Sequence, residues 1–383
     1  METQREGANM ALISAIVAVA TIGGLLFGYD SGAVNGTQPG LKAAFGLGVG
    51  GLGFTVSSLL IGCFIGAFFA GTLADQLGRR NVMRVAAVLF LVGALVQGLT
   101  ADHTLFVIAR IAGGMAVGAA SVLSPAYIAE VAPANIRGRM TTVQQIMIIT
   151  GLTLAFLVNY FLAAAAGGST GAFWGGIAAW RWMYLMQALP AAIFLVALFF
   201  IPESPRYLIG KGRHDEAKIV LTSLFGPTEA TAKLAEIRAS FSDDHKPRLA
   251  DVLAPTGTKI FLGMRPIVWV GIMLAVFQQL VGINVIFYYG ATLWQLAGFT
   301  EADALLINIV SGAVSIAACF VTIAVIDKVG RKPLLLIGSA GMAVSLFVMV
   351  FVFSQGGLDA AGNLVLTASL GTVLLAAGMK GRR

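Results

Sequence analysis

Charge is what this sequence has least of. Only 11% of its 383 residues are Asp, Glu, Lys or Arg, against 58% hydrophobic residues, and the mean hydropathy is +0.87. Soluble domains carry about 25% charged residues, so a water-soluble globular protein is excluded. Cysteine is nearly missing too. Cys63 and Cys319 both fall inside apolar runs, where they act as small hydrophobes, which excludes a disulfide framework. None of the three His residues has a metal-ligand spacing and no nucleophile–base set is visible. The expectation is therefore no metal, no cofactor and no enzyme. There is no sign of a cleavable signal peptide, because the first apolar run is long and lacks a small-residue cleavage site. The net charge of +7 would suggest nucleic acid for a soluble protein; here it points to cytoplasmic loops, and no nucleic-acid partner is expected.

What the chain has is long apolar runs. A membrane span needs about 20 such residues. Helices are expected near 11–33, 51–73, 85–101, 104–127, 141–166, 181–201, 266–290, 304–326 and 334–353, with a short apolar piece at 364–378. Residues 202–265 are polar, with helix-like pieces near 214–225 and 228–241. This is an all-α membrane protein. With the N-terminus inside, the inner segments hold 22 of the 25 Lys and Arg residues, and that bias sets the orientation.

An internal repeat follows. Asp75-Gln-Leu-Gly78-Arg79-Arg80 closes the second span and Asp327-Lys-Val-Gly330-Arg331-Lys332 closes the eighth. Both lie inside after an even-numbered span, so the repeats are parallel, related by an axis along the membrane normal, as are the two halves of major facilitator transporters. The domains expected are a six-helix half at 1–201, a cytoplasmic intracellular-helix linker at 202–265, and a C-terminal half at 266–383 holding helices seven to about ten. Some two and a half helices are short of a matching half, and the end, GMKGRR, reads as a truncation.

Asp30 is the one acid between Glu6 and Asp75, and it stands in an apolar run. A charge there costs roughly 2.5–3.5 kcal/mol on insertion scales, so it faces the bundle interior and has a partner. Arg110 is the one cation within a span. Counted from span ends at a rise of 1.5 Å per residue, both lie roughly 6–9 Å below the outer interface, so they are expected to pair. A proton on Asp30 would then release Arg110.

The remaining intramembrane polar groups are amides and hydroxyls: Gln144 and Gln145 in the fifth span, Gln187 in the sixth, and Gln278, Gln279, Asn284, Tyr288 and Tyr289 in the seventh. Such groups both donate and accept, which suits a neutral, hydroxyl-rich ligand. On a straight helix Gln279 and Asn284 are about 140° apart, whereas Asn284 and Tyr288 are about 40° apart. A break near Gly282 would let all of them serve one ligand. Glycines four apart, such as Gly62 with Gly66 and Gly114 with Gly118, mean close helix packing. The Asn35-Gly-Thr37 sequon, at the end of the first expected span, is read as a chance match. On the inner side acids and bases alternate: Asp75 with Arg79 and Arg80, Glu130 with Arg137 and Arg139, Glu203 with Arg206, Asp327 with Arg331. As a set they are candidates for a cytoplasmic latch; singly, each is a weak solvated pair.

PAYIAEVAPANIRGR (125–139), PESPRYL (202–208), QQLVGIN (278–284), the two loops of the repeat and GGLLFGYDSG (23–32) together resemble the sugar porter family of the major facilitator superfamily, in the manner of its bacterial proton/sugar symporters. The resemblance covers about residues 11–353. It implies the major facilitator fold, here a six-helix N-terminal half plus an incomplete C-terminal half, about ten of twelve helices. By motif, Gln145, Gln278, Gln279 and Asn284 match the family's sugar-binding positions, Asp30 its proton-coupling carboxylate and Arg110 the arginine beside it. The family's tenth-helix GPxxW segment is not found, and Ser315 stands where related porters often carry Asn. The function this implies is monosaccharide uptake, of a pentose or hexose, by proton symport. The partners are a small-molecule sugar, a proton and the lipid bilayer, and the protein is a monomer in a bacterial inner membrane. A passive uniporter and an inactive fragment are the alternatives.

Overall fold

The computed structural model describes residues 8–133, 136–243, 266–280, 282–296, 298–354, 357–358 and 364–365. Without water to bond them, backbone N–H and C=O groups in a membrane must satisfy one another, so apolar runs close into helices. In chain order these are α1 (Met10–Phe45), α2 (Val49–Leu77), α3 (Arg79–Leu99), α4 (His103–Val131), α5 (Arg137–Ala166), α6 (Ala179–Leu185), α7 (Ala188–Ala197), α8 (Pro205–Gly210), α9 (His214–Asp243), α10 (Pro266–Leu280), α11 (Ile283–Leu296), α12 (Glu301–Val329) and α13 (Arg331–Ser354). Two short strands, Gly357–Leu358 and Leu364–Val365, pair antiparallel. Among the described residues, seven helical stretches are long and apolar enough to cross a membrane: α1 to α5, Pro266–Leu296 and Glu301–Val325. The expected apolar piece at 364–378 lies outside the described residues apart from Leu364–Val365.

Two spans differ from the sequence expectation, the first and the sixth, and the seventh breaks near Gly282 as expected. The first runs to Phe45 and not to residue 33, because the polar stretch after Asp30 is buried in helix–helix contacts instead of turning into water. The sixth is locally irregular between α6 and α7: Pro190 has no N–H for the carbonyl of Met186, which takes that of Leu189 instead (3.4 Å), while Met186 and Gln187 keep right-handed helical dihedrals. The seventh breaks between Leu280 and Ile283, where Gly282 takes φ +82°, a conformation that suits glycine.

The chain divides into two compact units. One comprises Met1–Asn9 and Pro205–Ile286. In it, Leu208, Ile209 and Ala217 form a small core with Tyr207, Val220, Leu234 and Ile237 between α8 and α9. The two helical pieces expected in this region are the two arms of α9, bent at Gly226 (φ +80°) before Pro227. At the start of α9 the Arg213 guanidinium grips Glu216 through two bonds of 2.6 Å, which hold that exposed carboxyl below its ordinary range.

The other unit comprises Met10–Ser204 and Phe287–Arg383. Helix pairs approach closely where one side has no side chain. A Cβ on Gly62 of α2 would lie 2.0 Å from the Ile111 carbonyl oxygen of α4, and one on Gly114 would lie 2.1 Å from that of Leu59. Gly28 meets the backbone of α5 at Ile148 in the same way. Such contacts replace the hydrophobic drive that lipid removes. The core joins Tyr29, Val56, Phe106, Trp180, Tyr184 and Tyr288 with their neighbours. The phenylalanines of α2, such as Phe64 and Phe68, are exposed on the apolar exterior.

Candidate functional site

The two charges singled out in the apolar runs meet. Asp30 and Arg110 are 2% and 1% exposed, and Arg110 Nη2 lies 3.7 Å from Asp30 Oδ2. Asp30 is 15 residues from the end of α1 and Arg110 seven from the start of α4, unlike the matched depths counted from the sequence. The two residues come level all the same, and the end of α1 packs on the start of α4. There the ring of Phe45 lies 5.2 Å from that of His103 and 5.5 Å from that of Phe106.

Arg110 is shared among several acceptors. Its Nη1 donates to Gln97 Oε1 on α3 (3.4 Å) and to the Tyr184 hydroxyl on α6 (3.5 Å), and its Nη2 donates to the Val56 carbonyl on α2 (3.3 Å). The Tyr184 hydroxyl is 3.0 Å from Thr37 Oγ1, which in turn reaches the Val34 carbonyl at 3.2 Å. A guanidinium only donates, so the chain has one direction: Arg110 to Tyr184, Tyr184 to Thr37, Thr37 to the backbone of α1. A charge-assisted contact of this kind is normally about 2.7–2.9 Å, so at 3.7 Å the Asp30–Arg110 pair is an ion contact without a hydrogen bond.

Just beyond, Asn35 and Gln38 fasten α1 to α11 and α12, a connection absent from the sequence reading. Asn35 is fully buried. Its Nδ2 donates to the Phe287 carbonyl (2.7 Å), and its Oδ1 accepts from the Ala291 N–H (3.0 Å) and from Asn308 Nδ2 (2.8 Å). Gln38 Nε2 donates to the Tyr288 carbonyl (2.5 Å), and its Oε1 accepts from Thr292 Oγ1 (2.7 Å). Two amides thus engage neighbouring rungs of α11. Further along, Glu301 at the start of α12 accepts the Ser169 N–H at 3.0 Å. The signal for Asn35 and Gln38 was their spacing of three along a helix, which puts both on one face.

Of the expected ligand-facing amides, Gln279 and Asn284 come together. Across the break at Gly282, Asn284 Nδ2 donates to Gln279 Oε1 at 2.8 Å, and both belong with Gln278 to the unit holding Pro205–Ile286. Gln145 and Tyr288 belong to the other unit. Gln145 is exposed, and its neighbour Gln144 is buried against Gly24 with neither amide atom partnered among the described residues. Tyr288 is buried, in the same core as Tyr29 and Tyr184.

The inner charges are also placed. Arg79 contacts Asp75 at 3.0 Å and Glu130 at 3.2 Å, joining α2, α3 and α4. Glu203 accepts from the backbone N–H groups of Arg80 and Ser204, Ser204 bonds Glu130, and Arg80 Nη1 donates to the Ile201 carbonyl. Arg137 is exposed at the start of α5. Arg206, in the other unit, lies over the Phe241 ring. The side chains of Asp327 and Arg331 lie outside the described residues; between them the chain turns at Gly330 (φ +88°).

Membrane-length helices, one of them broken at a glycine between paired amides, and a fully buried carboxylate–guanidinium pair define a polytopic carrier-type membrane protein. Comparison with known proteins makes this specific. The family model described as "Sugar (and other) transporter" matches residues 16–378, and the chain belongs to that family. It is 44% identical over 369 residues to the "Glucose transport protein" of Synechocystis sp., covering 96% of this chain and 77% of the relative. It is 37% identical over 371 residues to the "D-xylose-proton symporter" of Escherichia coli, covering 90% and 73%. Among solved structures it is similar to a partially occluded, inward-open conformation of the xylose transporter XylE from E. coli. The TM-score there is 0.78 at 35% identity, with 95% of this chain and 82% of that one covered. The protein accordingly has the major facilitator fold and is a multi-pass membrane protein of a transporter family, not of an enzyme family.

Proposed function

We propose that the protein takes up a monosaccharide, a pentose or a hexose, together with a proton, by alternating access. The observation that carries the reading is the pair formed by Asp30 and Arg110, closed off from solvent and 3.7 Å apart without a hydrogen bond. A carboxylate buried among helices is costly when ionised, so a proton and an arginine compete to neutralise it. Protonation frees Arg110 to its neutral acceptors, and the loaded carrier rocks inward. The names of the two relatives, one a glucose transport protein and the other a xylose–proton symporter, support sugar and proton as the cargo.

In this reading Gln145, Gln278, Gln279, Asn284 and Tyr288 bind the sugar. Asp75, Arg79, Arg80, Glu130, Arg137, Glu203, Arg206, Asp327 and Arg331 form a cytoplasmic latch. Residues 1–201, 202–265 and 266–383 are an N-terminal half, a cytoplasmic linker domain and a C-terminal half. The protein is a monomer in a bacterial inner membrane, with its N-terminus in the cytoplasm. The test is radiolabelled xylose and glucose uptake by the chain in proteoliposomes with an imposed pH gradient. Accumulation that collapses with a protonophore, and that Asp30→Asn removes while sugar exchange remains measurable, is expected. Uptake that ignores the gradient would make the protein a uniporter.

A further inference from the structure

Arg110 depends on more than Asp30. Three neutral oxygens, from Gln97, Tyr184 and Val56, lie closer to its guanidinium than the carboxylate does. Gln97 is 1% exposed on α3, with its amide nitrogen in ordinary packing contact beside Gly93 and Gly113. Because Arg110 can only donate, the amide oxygen of Gln97 must face it. The Tyr184 hydroxyl likewise accepts from Arg110, and its own proton goes to Thr37, whose hydroxyl donates to the Val34 carbonyl. The Arg110 Nε and Asp30 Oδ2 atoms have no hydrogen-bond partner among the described residues, so the carboxylate is not saturated by its cation.

We propose that Gln97 and Tyr184 are positioning residues of the proton site, which hold the Arg110 guanidinium when Asp30 is neutral and so set the pH at which Asp30 exchanges its proton. The inference rests on the reading of Asp30 as the proton-carrying group. When Asp30 is ionised, its charge competes for the Nη groups. When Asp30 is protonated, Arg110 has Gln97, Tyr184 and the Val56 carbonyl alone. Removing one of these acceptors costs the protonated state more than the ionised one, where the carboxylate takes its place. The balance moves toward ionised Asp30, and the proton is released at lower pH. The titratable or charged groups that interact with Asp30 are Arg110 on α4, Cys63 on α2, Tyr184 on α6 and Tyr288 on α11; α3, α5, α7 and α12, which also meet α1, add none among the described residues.

The test reads Asp30 directly, so it does not depend on turnover. The full chain, reconstituted in lipid, is titrated by infrared difference spectroscopy, following the carboxylic-acid carbonyl band that Asp30→Asn removes. Gln97→Leu and Tyr184→Phe are each expected to move its midpoint to lower pH by roughly half a unit or more. Gln97→Asn, an amide one methylene shorter, is expected to fall between wild type and Gln97→Leu, and it stands in if Gln97→Leu does not fold. Folded variants that lose thermal stability but keep the wild-type midpoint, or that move it to higher pH, would overturn the proposal and leave both residues purely structural. A wild-type band that survives Asp30→Asn would instead remove the proton from Asp30, and the symport reading with it.

Discussion

Asn35 donates to the carbonyl oxygen of Phe287 at 2.7 Å while its own oxygen accepts the N–H of Ala291, so one side chain of α1 spans a full rung of α11. The approach requires Gly290. A Cβ there would stand 2.8 Å from Asn308 Oδ1 and 3.0 Å from Asn35 Nδ2. Gly290→Ala and Asn35→Leu are each expected to lower the stability of the folded protein by about 1–3 kcal/mol, because both leave buried polar groups without partners. Thermal unfolding in detergent checks this; a variant as stable as wild type would mean the amides find water as readily as they find α11.

The buried charges make a second expectation. Removing one partner of a buried pair strands the other, at roughly 3–5 kcal/mol, whereas removing both strands neither. Arg110→Leu should be strongly destabilised, and adding Asp30→Asn should recover part of the loss. A double-mutant cycle on unfolding temperatures measures the coupling, and simple additivity would show that the two groups do not sense each other across 3.7 Å.

At the α2–α4 contact the neighbours are backbone atoms, which cannot swing aside. Gly114→Val is therefore expected to abolish folded protein, since its Cβ would sit 2.1 Å from the Leu59 carbonyl oxygen. Gly71→Ala, on the same α2 but with nothing within 4 Å, should express and unfold as wild type does. Size-exclusion profiles of the two variants decide the matter.

The break in the seventh span yields the fourth expectation. Gly282 holds φ +82°, and Gln279 and Asn284 bond across it. Gln279→Ala should weaken sugar binding about tenfold, the worth of one or two lost hydrogen bonds at roughly 1 kcal/mol each. Gly282→Ala, which strains that backbone, should weaken it comparably although it removes no polar group. Equilibrium sugar binding, followed by tryptophan fluorescence, measures both.

Much of this molecule was legible because membranes simplify the problem. The apolar helices of the first half, the pairing of Asp30 with Arg110, the close packing at Gly62 and Gly114 and the hinge at Gly282 all followed from polarity and glycine placement along the chain. What escaped was tertiary. Asn-Gly-Thr-Gln-Pro-Gly at 35–40 has the composition of a turn, and only partners on distant helices, among them Tyr184, Phe287 and Tyr288, make it a buried helix. The inner charges were legible only in part. Asp75 and Arg79 pair as their spacing suggests, but Arg79 also reaches Glu130, and Glu203 takes the backbone N–H of Arg80. Sequence spacing sets what a residue faces along its own helix and is silent about which helix arrives opposite.

The first helix carries Asp30, Asn35 and Gln38 on one continuous stretch before Pro39, with Gly28 and Gly32 bearing on α5 behind them. Those parts cannot turn independently. A helix of this kind works as a camshaft: any roll that draws the carboxylate away from Arg110 also swings the two amides against α11. The ion pair and the α11 anchorage thus share a single degree of freedom.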